Sequence, residues 1–416
     1  GICECGEFKY NDNPCAVLDD DDIPFNPDLP GFTRSLSGDV LVETGEVVRD
    51  FSGAENIDVV AAYVNEMSLV VYQGNGKGML RPVNFVGLES EPTAITLCDF
   101  DDDSYMDAAV TLRNGKLFIC HSTGEGYFSD NIDTLLLHES EISADPVDIA
   151  VIDIDDDDKD DLIVANNGTQ TISIIKHSLE QSSFQMTYAG IERKEGNEEY
   201  EKAAPVALVV GNFVDDTGAI EDDFLVATEG GTVELFMMSG DVAVIAGYYG
   251  AANVVEDVVN ERIVDMVTGH FTGTLFSDVA ILVAGADPDL YLSGSYVHIM
   301  RSTPDDATNY LSSAQELEVT AGSTPVVLIT GEFANSDGDL IVGDENCRIE
   351  LFLQDSPGMF RNVLIETLPS QFGLVKLTDL ASGFLSTSGP MSVAGEDLVI
   401  GTSLYIVVLE NDMTLR

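Results

Sequence analysis

Asp153-Ile154-Asp155-Asp156-Asp157-Asp158-Lys159-Asp160-Asp161 stands between two apolar runs, Pro146-Val147-Asp148-Ile149-Ala150-Val151-Ile152 before it and Leu162-Ile163-Val164-Ala165 after it. Nine residues with seven acids, joining two short β-branched runs, read as an acidic loop between adjacent strands. Like charges at that density repel one another unless a cation sits among them. Counted from Asp153, carboxylates fall at positions 1, 3, 5 and 9 and the carbonyl of Lys159 at 7, an oxygen spacing that suits calcium. The spacing occurs a second time in Asp99-Phe100-Asp101-Asp102-Asp103-Ser104-Tyr105-Met106-Asp107, where Tyr105 offers the carbonyl. Magnesium fits less well, because the smaller ion keeps its waters and takes fewer carboxylates. The plainer alternative is a pair of solvated turns in a very acidic chain.

Outward from these loops, one order of parts repeats seven times. An apolar strand closes on a mark ending in Phe, or in Ile154 in the third unit, a polar loop follows, an Asp opens a second apolar strand, and a tight turn leads to a third. The marks are Asp50-Phe51, Asp99-Phe100, Asp153-Ile154, Gly211-Asn212-Phe213, Gly269-His270-Phe271, Gly331-Glu332-Phe333 and Gly383-Phe384. The second strands open at Asp58, Asp107, Asp161, Asp223, Asp278, Asp339 and Asp397, and the opening strand of the first unit is placed at Val47 to Phe51. A unit of roughly 50 to 60 residues is the size of a four-stranded propeller blade. Glycine turns at Gly76 to Gly78, Gly124 to Gly126 and Pro357-Gly358 lead into fourth, outer strands. Leu29-Pro30-Gly31-Phe32-Thr33-Arg34 mirrors Pro357-Gly358-Met359-Phe360-Arg361, so residues 31–37 are expected to supply the outer strand that the last blade lacks. The expectation is an all-β fold, a seven-bladed β-propeller of four-stranded blades over residues 25–416, closed by an N-terminal strand and preceded by a cysteine-containing segment, 1–24.

Composition narrows the function. With 44% hydrophobic residues there is ample material for a core, so disorder does not explain the charge. A net charge of −56, from 18 Lys+Arg against 74 Asp+Glu, repels nucleic acid and anionic membrane surfaces and favours cations, basic proteins or a saline milieu. No apolar run has the length of a membrane span. The start at Gly1 suggests a processed end. Six cysteines, with Cys3, Cys5 and Cys15 crowded at the start, point to disulfides and an oxidising compartment, and the sequon Asn167-Gly168-Thr169 agrees weakly.

On the Phe marks, the two DxDxDxxxD loops and the Gly-x-Gly turns, the chain resembles the FG-GAP (VCBS-type) repeat family, which includes the β-propeller of integrin α subunits. The resemblance implies seven blades, calcium loops between the first and second strands on one face, and partners on the opposite face. It implies calcium ligands at Asp99, Asp101, Asp103, Tyr105 (carbonyl) and Asp107, and at Asp153, Asp155, Asp157, Lys159 (carbonyl) and Asp161. The glycine of position 6 is replaced here by Ser104 and Asp158, a cost if that position needs a positive φ. Weaker candidates are Asp215, Asp216, Asp222 and Asp223 in a longer loop and Glu332, Asn335, Asp337 and Asp339 in a shorter one, so two Ca2+ sites are expected and up to four allowed. The fifth loop, with His270, Thr272 and Thr274, and the first, with Ser52 and Ala54, are expected to hold none.

Five scattered histidines and the lack of HExxH, GxSxG and P-loop patterns argue against an enzyme. The leading expectation is a calcium-binding extracellular or cell-surface module for binding or adhesion, meeting a protein or glycan on the face opposite the calcium loops, without membrane insertion. Candidate surfaces are the connection Ala284 to Ser295 with Tyr291, and the inter-blade stretches Gly190 to Ala204 and Ser302 to Ser323. The alternatives are a self-assembling subunit of an extracellular coat, sheath or filament, and a lectin, against which the absence of Trp counts.

Overall fold

The computed structural model of the chain describes residues 8–10, 40–45, 57–76, 80–100, 104–123, 127–138, 144–154, 159–178, 183–191, 204–214, 223–239, 242–250, 261–285, 294–303, 311–320, 324–333, 338–367, 376–383, 396–403 and 406–411. All regular structure among them is β. After the N-terminal strand Phe8–Tyr10 (β1), blade 1 comprises Val40–Gly45, Asp58–Tyr63, Ser68–Gly74 and Leu80–Gly87 (β2 to β5). Blade 2 comprises Pro92–Cys98, Asp107–Leu112, Lys116–Ser122 and Phe128–Leu136 (β6 to β9), and blade 3 Pro146–Ile152, Asp161–Asn166, Thr171–Ser178 and Ser183–Gly190 (β10 to β13). Blade 4 is Pro205–Gly211, Asp223–Thr228, Thr232–Ser239 and Val242–Gly250 (β14 to β17); blade 5 is Glu261–Gly269, Asp278–Gly285, Ser295–Ser302 and Leu311–Val319 (β18 to β21). Blade 6 is Pro325–Gly331, Asp339–Asp344, Arg348–Ser356 and Met359–Thr367 (β22 to β25). Blade 7 has Leu377–Gly383, Asp397–Thr402 and Ile406–Asn411 (β26 to β28), with β1 as its fourth strand.

Each blade is an antiparallel meander, and the first strand of each packs on the first strands of both neighbouring blades, which makes the set a closed ring around a central channel. The ring closes by an N-terminal strand, in the register Phe8↔Asn411, Lys9↔Glu410 and Tyr10↔Leu409. That strand lies inside the cysteine-containing segment; residues 31–37, expected in this role, are outside the described residues. Two strand assignments need correction. The first strand of blade 1 is Val40–Gly45 rather than the run ending at Phe51, because Val40 and Val42 bury against blade 7 and Gly45 pairs with Asp58. The stretch Ser302 to Ser323 is not simply a long connection, since it contains the outer strand β21.

The core is divided among seven apolar clusters, one at each seam between blades. Second strands are buried on both sides, so they read as continuous apolar runs; in β3, Val59 and Ala61 pack toward blade 7 while Val60 and Ala62 pack toward blade 2. The Phe marks are the plugs of this packing: Phe100, Phe213, Phe271 and Phe333 are at most 1% exposed. The glycine two residues before the ring gives it room, since a Cβ on Gly269 would stand 2.7 Å from the Phe271 ring.

The aspartate that opens every second strand is 0–2% exposed in all seven blades. It ties the blade together from inside. One oxygen accepts the amide at the far end of the third strand, Gly74 on Asp58 (2.9 Å), Ser122 on Asp107 (2.7 Å), Ser302 on Asp278 (3.0 Å) and Gln354 on Asp339 (2.9 Å). Where described, the other oxygen accepts an amide at the Phe mark, Phe100 on Asp107 (3.1 Å), Ile154 on Asp161 (3.3 Å), Phe213 on Asp223 (3.2 Å) and Thr272 on Asp278 (2.6 Å). Asp278→Ala leaves the Thr272 and Ser302 amides without that acceptor and is expected to cost roughly 3 kcal/mol in urea denaturation. The loss should be the same with calcium and with chelator, because the blade 5 loop has no acids. Gly269→Ala is expected to cost about 1–3 kcal/mol by crowding the Phe271 ring; an unchanged midpoint would show that the ring is free to move.

Candidate metal centres

Both DxDxDxxxD loops join the first and second strands of neighbouring blades, 2 and 3, on the same face of the ring. In the first, Asp99 Oδ2 accepts the Ser104 amide at 2.9 Å, and Ser104 itself has φ +73°. Position 6 of this loop therefore does require the left-handed conformation that glycine takes without cost. The Asp99 amide donates to Asp160 Oδ2 at 2.9 Å, so the two loops are joined across the seam.

Position 9 of each loop is one of the buried aspartates. Asp107 is fully buried and accepts from the Ser122 and Phe100 amides, and Asp161 accepts from the Ile154 amide. The same bonding occurs at Asp223, Asp278 and Asp339, so these carboxylates have a structural task that needs no metal. Of the expected ligands, Asp99, Tyr105, Asp107, Asp153, Lys159 and Asp161 are described, while Asp101, Asp103, Asp155 and Asp157 lie outside the described residues. Among the weaker candidates Asp215, Asp216, Asp222, Asn335 and Asp337 lie outside them too; Glu332 donates its amide to Glu396 Oε2 at 3.2 Å. No three His, Cys, Asp or Glu side chains among the described residues are gathered so as to hold a metal ion. The described part of the loops shows the turn at Ser104 formed, while the rigid position 9 carboxylates recur in blade 5, whose loop has no acids, and so do not by themselves mark a metal loop.

His121 bridges Asp107 and Asp133, with Nδ1 and Nε2 each 3.0 Å from a carboxylate oxygen. The hydrogen bond to Asp107 is the main cause that lifts its pKa to about 9, against the opposing effect of burial. The bridging imidazolium therefore places a positive charge beside the position 9 carboxylate at neutral pH.

Three cysteines and the sequon, read in the sequence as signs of an oxidising compartment, fall among the described residues. Cys98, Cys120 and Cys347 are buried and form no disulfide among the described residues. Cys98 and Cys120 pack into clusters on opposite sides of blade 2, which prevents their pairing. Burial pushes the Cys120 thiol up to about 12 and that of Cys347 to about 11, so both stay protonated and inert. Cys3, Cys5 and Cys15 lie outside the described residues. In the sequon, Asn167 Nδ2 donates to Pro205 O at 3.0 Å and to Glu229 Oε1 at 3.3 Å, holding blade 3 to blade 4 where a glycan would have to attach.

No family model matches this chain and no curated protein matches it. Among solved structures, 699 chains match, a breadth that marks a shared architecture rather than a shared activity. One of them, described as the crystal structure of BBS1N in complex with ARL6DN, soaked with lead, aligns with a TM-score of 0.56 over 92% of this chain and 96% of that one, at 15% identity. The likeness establishes the fold alone. The FG-GAP resemblance accordingly stands on its motifs and on the propeller, without a family match beside it.

Sequence reasoning passed over a different set of acids. Asp148, Asp265 and Asp379 each interrupt an apolar first strand, and Glu43 does so in β2. An acid within a largely apolar first strand is the available signal, plainest at Asp148 between Val147 and Ile149 and at Asp265 between Val264 and Met266. Among the described residues no helix is long and apolar enough to cross a membrane. Ser104→Gly is expected to raise stability by up to about 1 kcal/mol, since it relieves a positive φ; a drop in the urea midpoint would place the left-handed turn elsewhere.

Proposed function

We propose that this protein is a binding module, not an enzyme: a propeller whose loops on blades 2 and 3 are braced by calcium and whose opposite face meets a protein partner. The observation that carries the calcium reading is the joined pair of loops, with Asp99 bonded to both Ser104 and Asp160. Two loops of identical spacing on adjacent blades would brace the same seam. With Ser104 and Asp158 at position 6, binding suits the range of about 10⁻⁴–10⁻³ M in which extracellular calcium modules work, which is the support for a place outside the cell or at its surface. The structural neighbour's description as part of a complex with ARL6DN supports protein binding as a use of this architecture.

On the opposite face, turns between second and third strands carry exposed ion pairs, Arg113 with Glu91 at 2.7 Å and Lys376 with Glu345 at 3.0 Å. Such pairs contribute little to the fold and exchange readily with a partner's charges. An acid excess of this size selects a partner with a basic surface.

Thermal unfolding in calcium, magnesium and chelator tests the brace. Calcium should raise the midpoint, through a stabilisation of about 2.7 kcal/mol per site at a hundredfold excess over Kd. Magnesium should do much less, and an Asp101→Asn, Asp155→Asn variant should lose the response. A midpoint indifferent to calcium and restored by NaCl would make the loops solvated acidic turns.

A further inference from the structure

The central channel of the ring is lined by the first strands of the blades, and its charged groups are of one sign. Strand β2 brings Glu43, β10 Asp148, β18 Asp265 and β26 Asp379, while β6, β14 and β22 bring no titratable carboxylate or base. The remaining charged residues of these strands are Glu261 and Arg262 at the outer start of β18, and Arg262 is exposed to solvent.

Three of the acids occupy one structural position. Asp148, Asp265 and Asp379 each follow the β-bulge near the start of the first strand, in alternate blades 3, 5 and 7. Blades 2, 4 and 6 have Ala94, Ala207 and Val327 after the same bulge. Each aspartate reaches across a seam to the first strand of the next blade. Asp148 Oδ2 accepts the Leu208 amide at 2.8 Å, Asp265 Oδ2 that of Leu328 at 2.8 Å, and Asp379 Oδ2 that of Val42 at 2.9 Å. The second oxygen of each accepts the amide of the following residue, at 2.8 to 2.9 Å. Glu43 adjoins the last of these seams, one residue beyond Val42.

We propose that this channel is a proton-controlled lock on the ring: with Asp148 ionised beside them, Glu43, Asp265 and Asp379 share protons near neutral pH, and the loss of these at higher pH loosens seams 5–6 and 7–1. The four carboxylates are half-buried on one channel and cannot all ionise without mutual repulsion, and among the described residues no cation offsets them. Burial is the main cause, with repulsion among the four adding to it for Glu43, Asp265 and Asp379; amide hydrogen bonds oppose both. The balance raises Glu43 to about 8, Asp265 to about 8, Asp379 to about 7 and Asp148 to about 6. Each group binds its proton more tightly folded than unfolded, where carboxyls titrate near 4. The stability this contributes is complete below about pH 4 and is lost as pH rises through the window from 6 to 8.

Infrared spectroscopy of the folded protein in chelator counts protonated carboxyls directly and does not depend on the metal loops. At pH 7 the wild type should show a protonated-carboxyl band equivalent to roughly two groups, which fades by about pH 10. Glu43→Gln should remove roughly a third of that band, and Glu43→Gln with Asp265→Asn roughly three quarters. Near pH 7 the logarithm of the unfolding constant should rise by roughly two per pH unit, and Glu43→Gln should lower that slope by about one. His121 adds to both slopes and cancels in their difference. If the double variant does not fold, Glu43→Gln alone decides. Absence of the band at pH 7, or a band and slope unchanged in Glu43→Gln, would overturn the proposal.

Discussion

A carboxylate buried at the head of each second strand is the constraint on which this propeller depends. A meander of four strands leaves amides unpaired where the first strand turns into its loop and where the third strand ends, and both places are deep inside the ring. An unpaired buried amide costs as much as several apolar contacts return. One aspartate serves both ends at once, and its charge is offset by the N–H dipoles aimed at it. Asp278 shows the arrangement most plainly, with Thr272 and Ser302 on its two oxygens. Everything further out, from the Phe271 plug to the seam clusters, is positioned by that tie.

The blades then meet through apolar seams rather than around one centre, and this explains how so acidic a chain folds. Among the described residues, the second-strand carboxylates point to amides and four first-strand acids line the channel, while exposed acids such as Glu91 and Asp355 are screened by water. Charge repulsion is thus kept apart from the surfaces that hold the blades together. In the channel the two come close, since Asp148, Asp265 and Asp379 are at once seam contacts and members of an uncompensated set.

What could be read from the sequence follows from burial. Second strands lie between two neighbouring blades, so their composition is strongly constrained, and Asp followed by an apolar run located all seven. Outer strands face solvent on one side and carry a weaker signal. β21, Leu-Ser-Ser-Ala-Gln-Glu-Leu-Glu-Val, has exposed or half-exposed residues between Leu311 and Leu317 and reads as a loop. The first strand of blade 1 was misplaced because Asp50-Phe51 imitates the mark of blade 2, whereas Val40–Gly45 contains Glu43 and ends on a glycine. At the candidate metal loops, spacing identified Asp99 and Ser104 as parts of one turn. It could not distinguish a ligand from a structural tie at Asp107, because both tasks call for a carboxylate at the same place.

The pairing of Phe8–Tyr10 with Ile406–Asn411 has a consequence for how the molecule is made. Blades 1 to 6 are each continuous in the chain and can form as they leave the ribosome, but the seventh needs residues from both ends. Its outer edge stays open until synthesis has passed Asn411, and an open β edge is a template for another chain. The growing polypeptide therefore passes through a late stage in which a nearly complete ring can be closed by its own strand or by that of a neighbour.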